Sequence, residues 1–239
     1  MTVLVTGNKS GLGRYLFENF PGAIGWDRDV SEDEKKKIMQ EGADVIIHCA
    51  WNSTPEVTSE DAHAYLEDTL CLTKELTRIP HKKFVFISSV DVSPRDKLLY
   101  MEDEVIPFNK VEGVYAITKL FAEAIVEARG SNVLIMRCAA FLGPYMRKNT
   151  LKKIQGDENP IVTLTSDSEV NYIRYEDVLR FIKIALEKDL QGIYNIAASE
   201  NITLSEVANL CKKQVIFGQF TYRVGKIDTT KAVSLVPAL

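Results

Sequence analysis

The sequence predicts an α/β fold: a doubly wound parallel sheet in residues 1–144, followed by a small C-terminal α/β lobe in residues 145–239. Three observations predict it. Short apolar runs alternate with stretches of helical length and periodicity as far as residue 137 or so. A glycine-rich turn (GNKSGLG, residues 7–13) directly follows the first apolar run, Val3-Leu4-Val5. Beyond Tyr145 the alternation loosens, punctuated by Pro144, Gly156 and Pro160. Such a βαβα rhythm puts parallel strands in one sheet with helices on both faces.

The elements follow in order. Residues 2–6 are the first strand and 11–20 the helix after it; 23–27 are the second strand. Ser31 caps a helix running to about Glu41, and Glu34 three residues on completes a capping box. Residues 43–50 (ADVIIHCA) are a buried strand, 59–78 a long helix, and 83–88 (KFVFIS) the next strand. A loop rich in Pro and Asp leads to the helix that carries Tyr115 and ends at Gly130; 132–137 (NVLIMR) are another strand. In the lobe, short strands at 161–164 and 193–196 mix with helices at 176–188 and 204–213, and parts of it return to the sheet domain.

At 239 residues, 46% hydrophobic and 26% charged, the chain has an ordinary globular composition and room for one large domain or a domain with a lobe. The net charge of −4 comes with scattered Lys and Arg and no basic stripe, which argues against nucleic acid as a partner. Cys49, Cys71, Cys138 and Cys211 lie far apart among apolar residues, as reduced thiols rather than disulfides or metal ligands. The three histidines lack ligand spacing, so no metal is expected. No stretch reads as a signal peptide or membrane span, and a cytoplasmic location is expected.

The glycine turn suits a dinucleotide. Gly7 permits the sharp exit from the strand, Gly11 lets backbone approach a phosphate, and Gly13 lets helix and strand pack closely. The helix start then offers free N–H groups and a positive dipole end to a pyrophosphate. Asp27 ends the second strand, where a carboxylate bonds ribose hydroxyls and favours NAD. Arg28 and Lys9 offer the opposite reading, neutralising a 2′-phosphate, so NAD and NADP both stand. Tyr115 and Lys119 are four residues apart and share a helix face. An ammonium beside a phenol favours phenolate, lowering a pKa that is ordinarily near 10. With a serine hydroxyl to orient the substrate oxygen, Tyr115 acts as general acid in carbonyl reduction and as base in the reverse.

The glycine turn, Ser89, Tyr115 and Lys119 resemble the short-chain dehydrogenase/reductase superfamily, specifically its extended, NAD-dependent epimerase/dehydratase subclass with a Rossmann-type sheet. The resemblance runs nearly the whole chain. Its segments are His48-Cys49-Ala50, FVFISSVDV at 84–92, RCAAFLGP at 137–144, NYIRYEDV at 171–178, GIYNIAASENITLSEVANL at 192–210 and DTTKA at 228–232. The compact length is similar to the dTDP-4-dehydrorhamnose reductase branch. The resemblance implies Ser89, three before Val92, as catalytic serine rather than Ser88, with Tyr115 and Lys119. It implies Gly7, Ser10, Gly11, Leu12 and Gly13 at the pyrophosphate, and Asp29 and Val30 by the adenine. Cys49, Ala50 and Trp51 would run along the cofactor, with Cys138 and Ala139 near the nicotinamide. Ser89, Asp91, Tyr115, Ala140 and Arg174 would face the substrate, a sugar or nucleotide sugar with a reactive keto or hydroxyl group.

The departures from the pattern sharpen the reading. Ser10 stands where a glycine is usual. Only 16 residues separate Asp27 from Asp44, so the sheet loses or shortens its third strand and the adenine side opens. Ala140 and Val170 replace an Asn and an Arg that grip a nucleotide diphosphate in relatives; Arg147, Lys148, Lys152, Lys153 and Arg174 are the candidates to compensate. Val90 replaces the acid that sugar dehydratases need, which disfavours dehydration. Two functions follow: an NAD(P)-dependent reductase or epimerase, or a catalytically silent dinucleotide-binding sensor or scaffold. A homodimer is also expected, packing the Tyr115 helix (Leu120, Phe121, Ala124, Ile125) and the preceding helix (Leu66, Leu70, Leu72) into four helices.

Overall fold

Val3, Leu4 and Val5 are almost completely buried, which is possible for a strand only if both its faces are covered. The computed structural model, which describes residues 1–52, 54, 57–130 and 132–236, shows how. β1 (Val3–Thr6) leads through the glycine turn into α1 (Gly11–Asn19), β2 (Ile24–Trp26), α2 (Glu32–Glu41) and β3 (Ala43–His48). The long helix comes in pieces: α3 (Ala62–Leu66), a π turn (Glu67–Cys71) and α4 (Leu72–Leu76). β4 (His81–Ser89), β5 (Leu99–Tyr100), α5 (Val114–Glu127) and β6 (Val133–Cys138) follow.

The remainder begins with β7 (Ala140–Leu142), α6 (Thr150–Gly156), β8 (Glu169–Val170), β9 (Tyr172–Arg174) and α7 (Tyr175–Glu187). It ends with β10 (Gly192–Ile196), β11 (Ile202–Thr203), α8 (Leu204–Leu210), β12 (Lys226–Ile227) and α9 (Thr230–Val233). The residues expected as a strand at 161–164 make only isolated bridges, Ile161 to Ile216 and Leu164 to Phe220.

The main sheet is six-stranded and parallel, in the order β10-β6-β4-β3-β1-β2. β2 is an edge strand, because a single helix, α2, carries the chain from β2 across to β3 on the far side of β1. The short interval between Asp27 and Asp44 therefore costs the sheet one strand. β10 and α7, from the C-terminal part of the sequence, belong to this sheet and its apolar layer, where Phe181 and Ile182 are fully buried. A separate small core of Leu151, Ile154, Val162, Leu204 and Val207 holds the lobe.

Three local devices position the strand ends. Ser31 and Glu34 form the expected capping box at α2. The helix after β3 departs from a plain α-helix because the Thr69 and Thr73 hydroxyls bond the carbonyls of Tyr65 and Thr69, each 2.7 Å away, competing with the backbone ladder. β3 ends at His48 rather than at residue 50 because the Thr6 hydroxyl oxygen accepts the N–H groups of Cys49 (3.1 Å) and Ala50 (2.9 Å). The Thr6 hydroxyl proton then goes to His48 Nδ1 (2.8 Å), and His48 Nε2–H donates to Thr73 Oγ1 (3.0 Å), whose own proton goes to Thr69. The imidazole is thereby held neutral, and burial pushes its pKa down to about 3. Among the described residues, no helix is long and apolar enough to cross a membrane.

His48 sets a pH dependence. An unfolded chain binds a proton at a free imidazole below pH 6.5 or so, while the folded chain does not until about pH 3. Stability is therefore lost as pH falls through that window. Between pH 6.5 and 5 the loss from this group is about 2 kcal/mol, at about 1.4 kcal/mol per pH unit. Urea unfolding at the two pH values should show that decrement in the wild type and its absence in His48→Gln.

Candidate active site

The site lies at the carboxyl ends of the strands, where neighbouring connections leave to opposite sides of β1. Gly7 turns the chain out of β1 with φ +68°, and its N–H donates to Trp26 O (2.9 Å). A Cβ on Gly13 would stand 2.4 Å from Gly7 O, so only glycine lets α1 start this close to β1. The start of α1 is not wholly open: Gly11 N–H donates to Tyr145 O (3.1 Å), and the Arg14 guanidinium stacks over the Tyr145 ring at 3.9 Å. Tyr145 itself has φ +66°, an uncommon conformation for a non-glycine residue.

Three cavities adjoin here and share walls. The first, about 510 Å³, is lined by Trp26, Asp27, Arg28, Asp29, Asp68 and others at the open edge beyond β2. The second, about 290 Å³, runs over Gly7, Ser10, Gly11, Leu12 and Gly13 to Cys49, Trp51, Tyr115, Lys119 and Tyr175. Gly7, Ser10, Trp51 and Arg147 line both. The third, about 200 Å³, lies between Ser89, Asp91, Tyr115, Cys138, Ala139 and Ala140 on one side and Asn171, Tyr222 and Val224 on the other. Ser88, Tyr115 and Phe141 are shared by the second and third. Together they form one trough with Tyr115 at its inner junction.

The anticipated site residues fall along it, with exceptions. Ala50 lines the first cavity, whereas Val30 and Arg174 line none of the three. Arg174 is exposed and clamped to Asp177 (2.7 Å) at the start of α7. Of the other candidate cations, Arg147 and Lys148 line the second cavity, and Arg147 Nη1 donates to Trp51 O (3.3 Å). Tyr222, Tyr175, Asn171 and Asp68 were not singled out from the sequence. Asn171 and Tyr175 lie in the NYIRYEDV segment without having been assigned a role, Tyr222 and Asp68 lie in no motif, and all four reach the trough through tertiary packing.

Hydrogen bonds separate the two adjacent serines. Ser88 Oγ donates to Glu123 Oε1 (2.5 Å), which is also held by buried Arg137. Ser89 Oγ instead accepts Asp91 N–H (3.2 Å), lies 3.4 Å from Asp91 Oδ2, and lines the same cavity as the Tyr115 phenol. Burial and the Asp91 carboxylate hold the Tyr115 phenol well above its ordinary range, with Ser89 pulling the other way. The phenol is protonated at neutral pH. Lys119 is 3% exposed; its Nζ donates to Ile87 O (2.6 Å) and stands 3.8 Å from the Trp51 ring centroid. Burial pulls its pKa down to about 7.

The chemistry of the trough fits a dinucleotide. Asp27 and Asp29 stand at one end, the glycine turn and α1 start in the middle, and Tyr115 at the other end. Trp51, 8% exposed and lining two of the cavities, has a buried indole N–H with no acceptor among the described residues. An acceptor on a bound ligand would satisfy such a donor.

Comparison with known proteins agrees with this geometry. The model of the NAD dependent epimerase/dehydratase family matches residues 3–197. A search of curated proteins gave no match. Among solved structures, MoeE5 in complex with UDP-glucuronic acid and NAD superposes with a TM-score of 0.83 at 17% identity, covering 99% of this chain and 93% of that one. UDP-glucuronic acid 4-epimerase from Bacillus cereus, with UDP-glucuronic acid and NAD, gives 0.80 at 19% identity, covering 100% and 94%. dTDP-4-dehydrorhamnose reductase from Bacillus anthracis, with NADP, gives 0.77 at 17%, covering 94% and 84%. At these identities the likeness is one of fold.

Lys119 carries a measurable cost. Its unfolded pKa is near 10.5 and its folded one about 7, so the unfolded chain binds the extra proton between those values. The penalty is full below pH 7 and fades as pH rises toward 10.5. Lys119→Met should therefore unfold at higher urea, with a gain on the order of 1–3 kcal/mol at pH 6.5 that shrinks by pH 9.

Proposed function

We propose, from the premise that the chain belongs to the NAD dependent epimerase/dehydratase family, that it is an NAD-linked reductase or epimerase. It acts on a keto or hydroxyl group of a sugar or nucleotide sugar. The observation that carries the reading is that Ser89 and Tyr115 share one wall of a cavity at the inner end of the trough, beside Cys138 and Ala139. Gly7, Gly11 and Gly13 at one end and Cys138 and Ala139 at the other would hold a nicotinamide cofactor, which would supply the hydride chemistry when bound. The chain's own residues handle the oxygen and its proton. Ser89 Oγ orients the substrate oxygen. Tyr115 Oη, held protonated by burial, donates to that oxygen as a carbonyl becomes an alcohol and withdraws the proton in reverse. Lys119, one helical turn on, stabilises the phenolate when it is itself protonated. A silent sensor or scaffold has less support, since it gives Ser89, Tyr115 and Lys119 no reason to line two adjoining cavities that meet at Tyr115.

The cofactor end favours NAD over NADP. Lys9 Nζ lies 2.5 Å from Asp29 and 3.2 Å from Asp27, and Arg28 pairs with Asp68. Both cations that a 2′-phosphate needs are already neutralised, and the carboxylates around them repel it. The reading extends to assembly. Leu66 and Phe121 are exposed on α3 and α5, with Phe108 packed on Phe121 at 5.2 Å between ring centroids. This apolar face suits the pairing of two copies.

Tyr115→Phe should lower kcat by about 10²–10⁴-fold while NAD binding, followed by calorimetry, stays within about twofold. Unchanged turnover on an accepted substrate rejects the mechanism. In the same titrations NAD should bind at least about tenfold tighter than NADP, and Asp27→Ala should erase most of that difference. Sedimentation at micromolar concentration should show a dimer, converted to monomer by Phe121→Glu.

A further inference from the structure

The third cavity has an uneven charge that bears on what enters it. Its polar lining consists of Ser88, Ser89, Asp91, Tyr115, Asn171 and Tyr222; among the described residues no Lys, Arg or His lines it. Two of these groups are occupied by the protein. Ser88 Oγ donates to Glu123, and the Asn171 amide exchanges hydrogen bonds with Ala198, accepting its N–H and donating to its carbonyl (both 2.9 Å). Four remain to meet a ligand: Ser89, Asp91, Tyr115 and Tyr222.

Asp91 is the one carboxylate among them. Tyr222 reaches it from the far side of the cavity and donates its hydroxyl proton to Oδ1 (3.0 Å), while Oδ2 faces Ser89 Oγ at 3.4 Å. No ion pair reaches Asp91 among the described residues; the Arg95 guanidinium lies over the Tyr222 ring instead, 4.9 Å from its centroid. A carboxylate accepts about four hydrogen bonds, so Asp91 keeps lone pairs open toward the cavity. A carboxylate with no ion-pair partner among the described residues, partly withdrawn from water, repels a second anion.

We propose that Asp91, fixed by Tyr222, selects the substrate ring by charge: the ring seated beside Tyr115 is uncharged or carries an amino group, and a ring bearing a carboxylate is rejected. A ring hydroxyl or ammonium donates to Asp91 while another oxygen meets Ser89 and Tyr115. Tyr222 is a positioning residue, acting through the carboxylate it holds. This inference rests on the oxidoreductase reading in taking the third cavity as the substrate's, and it adds the class of substrate. The cavity, about 200 Å³, is of a size for one monosaccharide ring.

The test is calorimetry on the NAD-saturated protein at pH 6.5 with glucose, glucosamine and glucuronate, each also as its UDP conjugate. Comparison within each series makes the order independent of any nucleotide requirement. Glucosamine and glucose should bind at least about tenfold more tightly than glucuronate. Asp91→Asn should bring the three within about twofold of one another. Tyr222→Phe should weaken glucosamine binding several-fold while the NAD dissociation constant holds. Glucuronate binding as well as glucose, an unchanged order in Asp91→Asn, or no binding of any uncharged or amino ring overturns the proposal. The wild-type order alone suffices should Asp91→Asn fail to fold. Failure to bind NAD would defeat the oxidoreductase reading, whereas NAD binding with the wrong ring order defeats only this inference.

Discussion

The Thr6 hydroxyl fixes the geometry on which the trough depends. It gathers two backbone N–H groups from the end of β3 and gives its proton to buried His48, tying together the carboxyl ends of two adjacent strands. That knot ends β3 at the point where the chain must swing away past Trp51. On the other side of it, Gly7 turns the chain toward α1. The crevice opens between these two departures, which is where a doubly wound sheet receives its ligand. Losing a strand beyond β2 leaves this knot intact and alters only the outer end, where Asp27, Arg28 and Asp68 stand at an open edge.

At the inner end burial works against the charges of the residues that line the trough. Tyr115 is driven toward the neutral phenol and Lys119 toward the neutral amine. Each is the form that costs least in a poorly solvated place. The lysine thus does not act as a fixed positive charge beside the phenol, as the helical spacing alone suggests. Its titration near neutrality makes the electrostatics of the site responsive to what enters. Behind both residues, the buried Glu123–Arg137 pair anchors α5 to β6 and engages Ser88, leaving Ser89 to face the cavity. Such a pair contributes little net stability, but it allows few alternative placements of the helix.

Much of this was legible in the sequence because its causes are local. Apolar runs marked the strands, the Gly7–Gly11–Gly13 spacing marked the turn from β1 into α1, and Ser31 with Glu34 marked a helix start. The interval from Asp27 to Asp44 was too short for another strand and helix, and the sheet indeed ends at β2. The π turn was not legible, since it depends on threonine hydroxyls competing for carbonyls inside a helix. The strand expected at 161–164 is not formed, because those residues find partners only in isolated bridges. Tyr222 and Asp68 lie in no motif and reach the trough by packing across long sequence separations. Arg174 looked like a site cation by its neighbours in sequence, yet Asp177 three residues on holds it at the surface.

The central claim is that one continuous trough, from Asp27 to Asp91, seats a dinucleotide with its reactive ring against Tyr115. A crystal structure of the protein grown with NAD tests it most directly. The account predicts the adenosine ribose hydroxyls on Asp27, the pyrophosphate at the start of α1, and the nicotinamide within reach of Tyr115, Ser89 and Cys138. Density for NAD that left the Tyr115 cavity empty, or that lay elsewhere on the molecule, would contradict it.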